Sequence, residues 1–314
     1  MNDHKICILI CVFLLIAGCR GAGHNPGMET PTTGVIRIGA DETSRPVIDA
    51  ELTVFQNMYV DARITPLYLP ENDAFNYLFQ DSVQLIIVSR PLSTKEKEYF
   101  EQKKLYPREA RLAEDAVALI VNPANEDSLI TMKQLQMILT GELTQWGQLN
   151  PRSGLERIEV VFDNINSGTV RYAADSICRG MKLSDHLYAL DSNMDVVSYV
   201  ARNINALGFT GVSWINDHSD STQLSFFKKI RVVALSKEET ATPDNSYQPY
   251  QAYIFNGSYP LVRFIYAIDT EPRNGLATGF MTFLASDKGQ RIILRAGLVP
   301  ATMPVRLVKI TQDW

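Results

Sequence analysis

Apolar and polar positions change their spacing repeatedly along this chain, and the changes predict strands alternating with helices. Residues 35–40 alternate with period two and then meet the polar loop Asp41-Glu42-Thr43-Ser44-Arg45 and Pro46. A strand, a polar loop and a proline at a first helical position mark a βα junction, because proline's missing N–H would be unpaired there anyway. Val47, Ile48, Leu52, Phe55 and Met58 then recur near helical spacing, which predicts a helix over 47–59. Residues 62–69 read as a strand, 73–79 as a short helix, and 83–89 as a continuous apolar strand of the kind buried in a parallel sheet.

The same reading predicts strands at 116–121, 158–162, 206–212, 230–235 and 259–268. It predicts helices at 131–139 with Thr131 as cap, from Gly168 to about Arg179, at 195–203, and at 279–295 with Phe280, Phe283, Leu284, Ile292 and Ile293 on the buried side. There is no internal repeat and no heptad. This order argues an α/β class with an open sheet and ligand loops at strand C-termini. A chain of 314 residues fits two α/β lobes better than one, with the strands near Ala116 and Tyr259 as candidate crossings. A site between lobes allows hinge closure to bury a small ligand.

The N-terminus carries compartment information. His4 and Lys5 precede an apolar run over 6–16, followed by Ala17-Gly18-Cys19. A basic start, a short apolar core and small residues describe a secretory leader over 1–18; a buried N-terminal helix is the alternative. The run is short for a bilayer span. Leu15-Ile16-Ala17-Gly18-Cys19 resembles a bacterial lipobox, which implies cleavage before Cys19 and its lipidation. Residues 19–34 then form the lipidated cysteine and a flexible tether, rich in Gly, Pro and Thr. Cys7 and Cys11 leave with the leader, so Cys178 alone remains beyond Cys19 and reads as a small core residue.

Net charge is −5 and no basic cluster occurs, which argues against a nucleic-acid partner. His24, His186 and His218 are scattered, and neither C-x-x-C nor H-E-x-x-H is present, so no metal or cofactor is expected. The chemistry concentrates at Asn166-Ser167-Gly168-Thr169, between a strand and a helix. Unpaired N–H groups and the positive dipole end of a helix make such a start an anion cradle, with hydroxyls as further donors. An ordinary Ser N-cap is the alternative. Ser167 lacks the G-x-S-x-G elbow of a hydrolase and has no histidine nearby in sequence, so an enzyme is not expected.

Motifs in one order along the chain widen the reading. Thr131, Gln134, Leu135, Ile138, Gly141 and Trp146 fit a T-x-x-Q-L-x-x-I-x-x-G-x-x-x-x-W run. Gly208-Phe209-Thr210-Gly211-Val212, Tyr259-Pro260-Leu261, the helix with Phe280, Phe283, Ser286, Gly289 and Gln290, and the tail Gly297-Leu298-Val299-Pro300 follow in turn. With Ser167-Gly168-Thr169, this pattern resembles the PstS-like substrate-binding proteins of phosphate ABC transporters, of the type-II periplasmic-binding-protein class. The resemblance implies two lobes, each a mixed sheet flanked by helices and joined by hinge strands, with 35–115 plus 260–314 as the first lobe and 116–259 as the second. It implies a monomer, lipid-anchored to a bacterial membrane and facing the periplasm or cell surface, that delivers phosphate or a similar oxyanion to an ABC permease. Another small anion, or a sensing lipoprotein without transport, is the alternative.

The resemblance also implies three ligand loops, supplying Glu42, Thr43 and Ser44, then Ser89 and Arg90, then Asp163, Asn166, Ser167, Gly168 and Thr169, with Arg171 one turn further on. Members of the family place an Arg before the Ser-Gly-Thr and an Asp after the serine of the second loop. Here Asp163 and Arg90 stand near those positions, which implies exchanged charges: Arg90 as the cation, and Asp163 or Glu42 as acceptor for the proton of monohydrogen phosphate; a local pair of Arg90 with a carboxylate such as Glu96, and Asp163 as an ordinary turn residue, are the alternatives.

Overall fold

The structure is a computed structural model that describes residues 29–216 and 226–302. The leader, Cys19 with most of the tether, His24 and His218 lie outside the described residues. The strands are β1 Gly34–Asp41, β2 Ala62–Leu69, β3 Leu85–Val88, β4 Arg108–Val121, β5 Leu129–Thr131, β6 Glu159–Phe162, β7 Tyr188–Ala189, β8 Ala206–Gly211, β9 Arg231–Val232, β10 Ala234–Ser236, β11 Ser246–Tyr247, β12 Val262–Asp269 and β13 Val299–Pro300. The helices are α1 Arg45–Met58, α2 Glu71–Phe79, α3 Thr94–Gln102, α4 Met132–Thr140, α5 Trp146–Leu149, α6 Gly168–Tyr172, α7 Asn193–Arg202, α8 Gln251–Phe255, α9 Leu276–Ala285 and α10 Asp287–Arg295. Among the described residues no helix is long and apolar enough to cross a membrane.

The main sheet runs β2-β1-β3-β12-β4-β8-β6-β7, with β9 and β13 also pairing β4; β11-β10-β5 form a smaller sheet. The strands β2, β1 and β3 are parallel, whereas β12 enters antiparallel between β3 and β4. The long strand β4 serves both halves. Up to Ala116 it pairs with β12, and from Val117 it pairs with β8, so it changes partners between two consecutive residues.

Elements form where the apolar spacing placed them. The continuous run of β3 is wholly buried, as both faces of a parallel strand covered by helices require. Helix α1 buries Val47, Ile48, Leu52 and Phe55, and the Phe55 ring meets Phe280 and Phe283 of α9 edge-on at 5.2 Å. Thr131 and Gln134 form a reciprocal capping box at the start of α4, and Gly141, at φ 84°, closes its end in the left-handed region.

Four expectations change, the first being the strand over 230–235, which is two short strands, β9 pairing β4 in the main sheet and β10 pairing β5 in the smaller one. The single helix over 279–295 is two helices, broken at Ser286, whose hydroxyl accepts from Gly289 N–H and caps α10. The helix after Gly168 is α-helical only to Tyr172 and continues as a π-helical turn over Ala173–Ile177. Strand β4 starts at Arg108, eight residues before the apolar run, because its first half mixes Arg108, Glu109, Arg111, Glu114 and Asp115 with apolar residues and shows neither a continuous apolar run nor a clean alternation. Helix α3 was not anticipated: only Phe100 of its nine residues is buried, and its start rests on the Ser93–Glu96 capping box.

Candidate functional site

The C-terminal ends of β1, β3 and β6 bring three loops together beside the turn that enters α6. Ser167 caps α6 by accepting from Val170 N–H at 3.2 Å, and its hydroxyl donates to Asp163 Oδ1 at 2.7 Å. The hydroxyl of Thr43 donates to Asp41 Oδ1 at 3.0 Å and to Asp163 Oδ2 at 3.4 Å, spanning the cleft. Trp214 Nε1–H donates to Thr43 O from the far side at 2.9 Å, which fixes that loop. Thr169 is buried and accepts from Arg263 Nη1 at 3.4 Å.

Gly168 is the point of closest approach. A Cβ there would lie 2.5 Å from Asp41 Oδ2, 2.6 Å from Ser89 Oγ and 3.0 Å from Glu71 Oε2. The helix itself favours alanine over glycine by about 1 kcal/mol. Gly168→Ala is nevertheless expected to destabilise the protein by about 1–3 kcal/mol in urea unfolding, the cost of overpacking. A stabilised variant would show that these oxygens do not crowd the turn.

Two arginines serve the cluster, Arg263 buried and Arg171 half-buried. Arg263, 4 % exposed on β12, holds Asp115 Oδ2 through Nε and Nη2, both at 2.8 Å. Arg171 donates through Nε to Glu71 Oε1 at 2.5 Å and through Nη2 to Ser89 Oγ at 3.0 Å. Carboxylates outnumber them. Asp41 is buried, its Oδ2 has no hydrogen-bond partner, and burial, the Glu71 charge and Asp163 raise its carboxyl to about 7 against the pull of Arg263. Burial raises Asp163 as well, partly offset by Ser167 and the Arg263 charge. Glu42 is raised by burial although its Oε2 accepts from Asn193 N–H and Nδ2. Asn193 ties the halves further, donating to Asp163 Oδ2 at 3.2 Å and accepting from Thr210 Oγ1 at 2.7 Å. A cavity of about 60 Å³ opens beside the cluster, with Asp41, Glu42, Asp163 and Asp191 in its wall.

The cluster therefore gathers Glu42, Thr43, Ser89, Asp163, Ser167, Gly168, Thr169 and Arg171. Ser44 is buried nearby without a side-chain cap bond, and Asn166 is exposed, contributing its carbonyl to Asn72 N–H at 3.4 Å. Arg90 is placed elsewhere. Its guanidinium makes a fork with Glu96, at 2.7 and 2.9 Å, and lies 3.7 Å over the Phe75 ring. That bidentate pair and ring contact hold it away from the cluster, where the cations present are Arg171 and Arg263.

Sequence reasoning did not select Asp41, Glu71, Asp115, Asn193 or Arg263. Arg263 carried a signal, a lone cation inside the apolar run 259–268. Glu71 carried none, since an acidic first helical turn is ordinary.

Residues 26–288 match the PBP superfamily domain. The phosphate-binding protein PstS of Staphylococcus epidermidis is 25 % identical over 281 residues, covering 88 % of this chain and 82 % of that protein. A putative phosphate ABC transporter substrate-binding protein from Clostridium perfringens, solved with bound phosphate, superposes with a TM-score of 0.71 at 22 % identity, over 86 % of this chain and all of that one. An ABC-type phosphate transport receptor from Vibrio cholerae gives 0.63 at 20 % identity, over 85 % of this chain and all of that one. With a two-lobed sheet joined through β4 and β12 and its polar cluster between the halves, this chain belongs to the PBP superfamily domain family.

Proposed function

We propose that the protein is a substrate-binding lipoprotein that captures phosphate between its lobes and delivers it to an ABC permease. The observation that carries this reading is the network around the Ser167-Gly168-Thr169 turn, which joins hydroxyls of Thr43, Ser89, Ser167 and Thr169 with Arg171 and Arg263 from both halves of the sheet. Preorganised donors at a helix start suit an oxyanion. The names of the relatives agree with phosphate as that oxyanion. The lobes comprise 35–115 with 260–314, and 116–259; Cys19 carries the lipid, and the protein works as a monomer facing the periplasm or cell surface without catalysis.

The surplus of carboxyls favours an anion that brings protons. Both oxygens of Asp163 accept from protein donors, whereas Asp41 Oδ2 is unpartnered and faces Gly168. Asp41 is therefore the carboxyl that shares a proton with phosphate, and it disfavours fully ionised sulfate. A thermal-shift panel tests this. Phosphate and arsenate at about 100-fold over Kd should add about 2.7 kcal/mol, a rise in Tm of roughly 4–5 °C for a chain of this size. Sulfate should give none. A panel of phosphate, arsenate, sulfate, molybdate and small carboxylates without any shift would favour a sensing lipoprotein over a transport component.

A further inference from the structure

Glu71 is the most deeply committed group in the cleft. It is the first residue of α2, has no accessible surface, and its carboxylate takes both donors of Ser89, the residue that follows β3. Ser89 N–H donates to Oε2 at 2.8 Å, Ser89 O–H donates to the same oxygen, and Arg171 donates through Nε at 2.5 Å and Nη2 at 3.4 Å. Burial alone would raise this carboxyl, but the Arg171 and Ser89 bonds outweigh it and hold it below the usual range, so it is an anion. A backbone N–H, a hydroxyl and a guanidinium fork around one buried anion are the contacts an oxyanion ligand makes.

Position strengthens the likeness. A Cβ added at Gly168 would lie 3.0 Å from Glu71 Oε2, so the Glu71 carboxylate sits directly against the Ser167-Gly168-Thr169 turn. The contact also crosses the cleft. Glu71 and Ser89 follow β2 and β3, on one side of the β4 partner switch, and Arg171 follows β6, on the other. A residue that merely orients Arg171 would have no use for both donors of Ser89.

We infer that Glu71 is a tethered internal anion: it occupies the oxyanion donors of Ser89 and Arg171, latches the two lobes together, and must be displaced by the incoming ligand. It thereby sets the affinity of the site. An apparent Kd is the intrinsic value divided by the fraction of protein competent to bind, so a latch that leaves about one molecule in ten open weakens binding about tenfold. This inference rests on the oxyanion reading of the cleft.

The test compares the purified wild-type protein with Glu71→Gln, which keeps the shape and removes the charge. Small-angle scattering in phosphate-free buffer should give the variant a larger radius of gyration, and amide exchange over 167–172 should quicken. Titration calorimetry with inorganic phosphate should show binding about tenfold tighter or more. Unchanged scattering and exchange overturn the latch, whatever phosphate does. An opened variant that binds phosphate more weakly than wild type, or equally, overturns the competitor role and makes Glu71 a residue that orients Arg171. If the variant opens and neither protein binds phosphate, the latch stands and the phosphate reading falls. Should Glu71→Gln not fold, Arg171→Gln breaks the same pair from its solvent-touched side, 26 % exposed, and must open the cleft for the inference to survive.

Discussion

Arg263→Met is expected to cost about 3–5 kcal/mol of stability, the loss seen when one member of a buried ion pair is removed. Asp115 is 3 % exposed, and one of its carboxylate oxygens is already without a partner. The other is held by Arg263 alone among the described side chains, through Nε and Nη2. Removing the guanidinium also removes the positive charge that restrains Asp41 and Asp163, so both carboxyls rise further. The double variant Arg263→Met/Asp115→Leu deletes the stranded charge and is expected to recover most of the loss. Urea unfolding of wild type, the double variant and both single variants, Asp115→Leu included, closes the cycle. A double variant no more stable than Arg263→Met would show that Arg263 acts through packing and not through Asp115. Phosphate binding should be lost in both Arg263 variants, because the restored stability does not restore the cation beside Thr169.

The second large effect is a gain. Glu51 lies on the buried face of α1 with no accessible surface, and neither carboxylate oxygen has a hydrogen-bond partner. Leu112, Ile265, Leu284, Ile293 and Leu298 line the narrow cavity around it, and burial pushes its carboxyl from 4.5 up to about 9. The folded protein therefore carries Glu51 protonated, while the unfolded chain ionises it above pH 4.5. Its contribution is intact below pH 4.5 and is lost progressively as pH rises towards about 9. At pH 7 the penalty is roughly 3 kcal/mol. Glu51→Met fills similar volume without a charge and is expected to raise stability by about that amount at pH 7, and by little at pH 4.5. The gap in urea midpoint between the variant and wild type should widen from pH 5 to pH 8, since Asp41 and the other raised carboxyls titrate in both proteins. Equal pH slopes would mean that Glu51 is ionised in the folded state.

Both residues show what a sequence conveys and what it withholds. Helical spacing over Val47, Ile48, Leu52 and Phe55 predicted α1, yet the same spacing puts Glu51 on the buried side, where pattern reasoning has no place for a carboxylate. Ser167-Gly168-Thr169 was legible because a helix start with hydroxyls is a local device, made by consecutive residues. The charge balance around it is not local. Asp41, Glu71, Asp115 and Arg263 meet only after four strands are laid side by side, and no spacing along the chain encodes that meeting. Arg90 was misplaced for the same reason. Its partner Glu96 lies only six residues away, but the choice between them and the cleft depends on the Phe75 ring beneath the guanidinium.

The position of β12 has a consequence for how the chain comes to fold. β12 lies between β3 and β4 in space but more than 140 residues after β4 in sequence. While the chain is being made, β3 and the first half of β4 are complete early, with an empty slot between them. Neither can satisfy its inner edge until Asp269 has been synthesised, since Ile86, Ile87 and Val88 on one side, and Arg108 to Ala116 on the other, pair with β12. Such late, distant pairing makes folding slow relative to local collapse. A nascent chain of this topology cannot complete its central sheet until nearly its full length is available, so its native state is reached only after synthesis is almost finished.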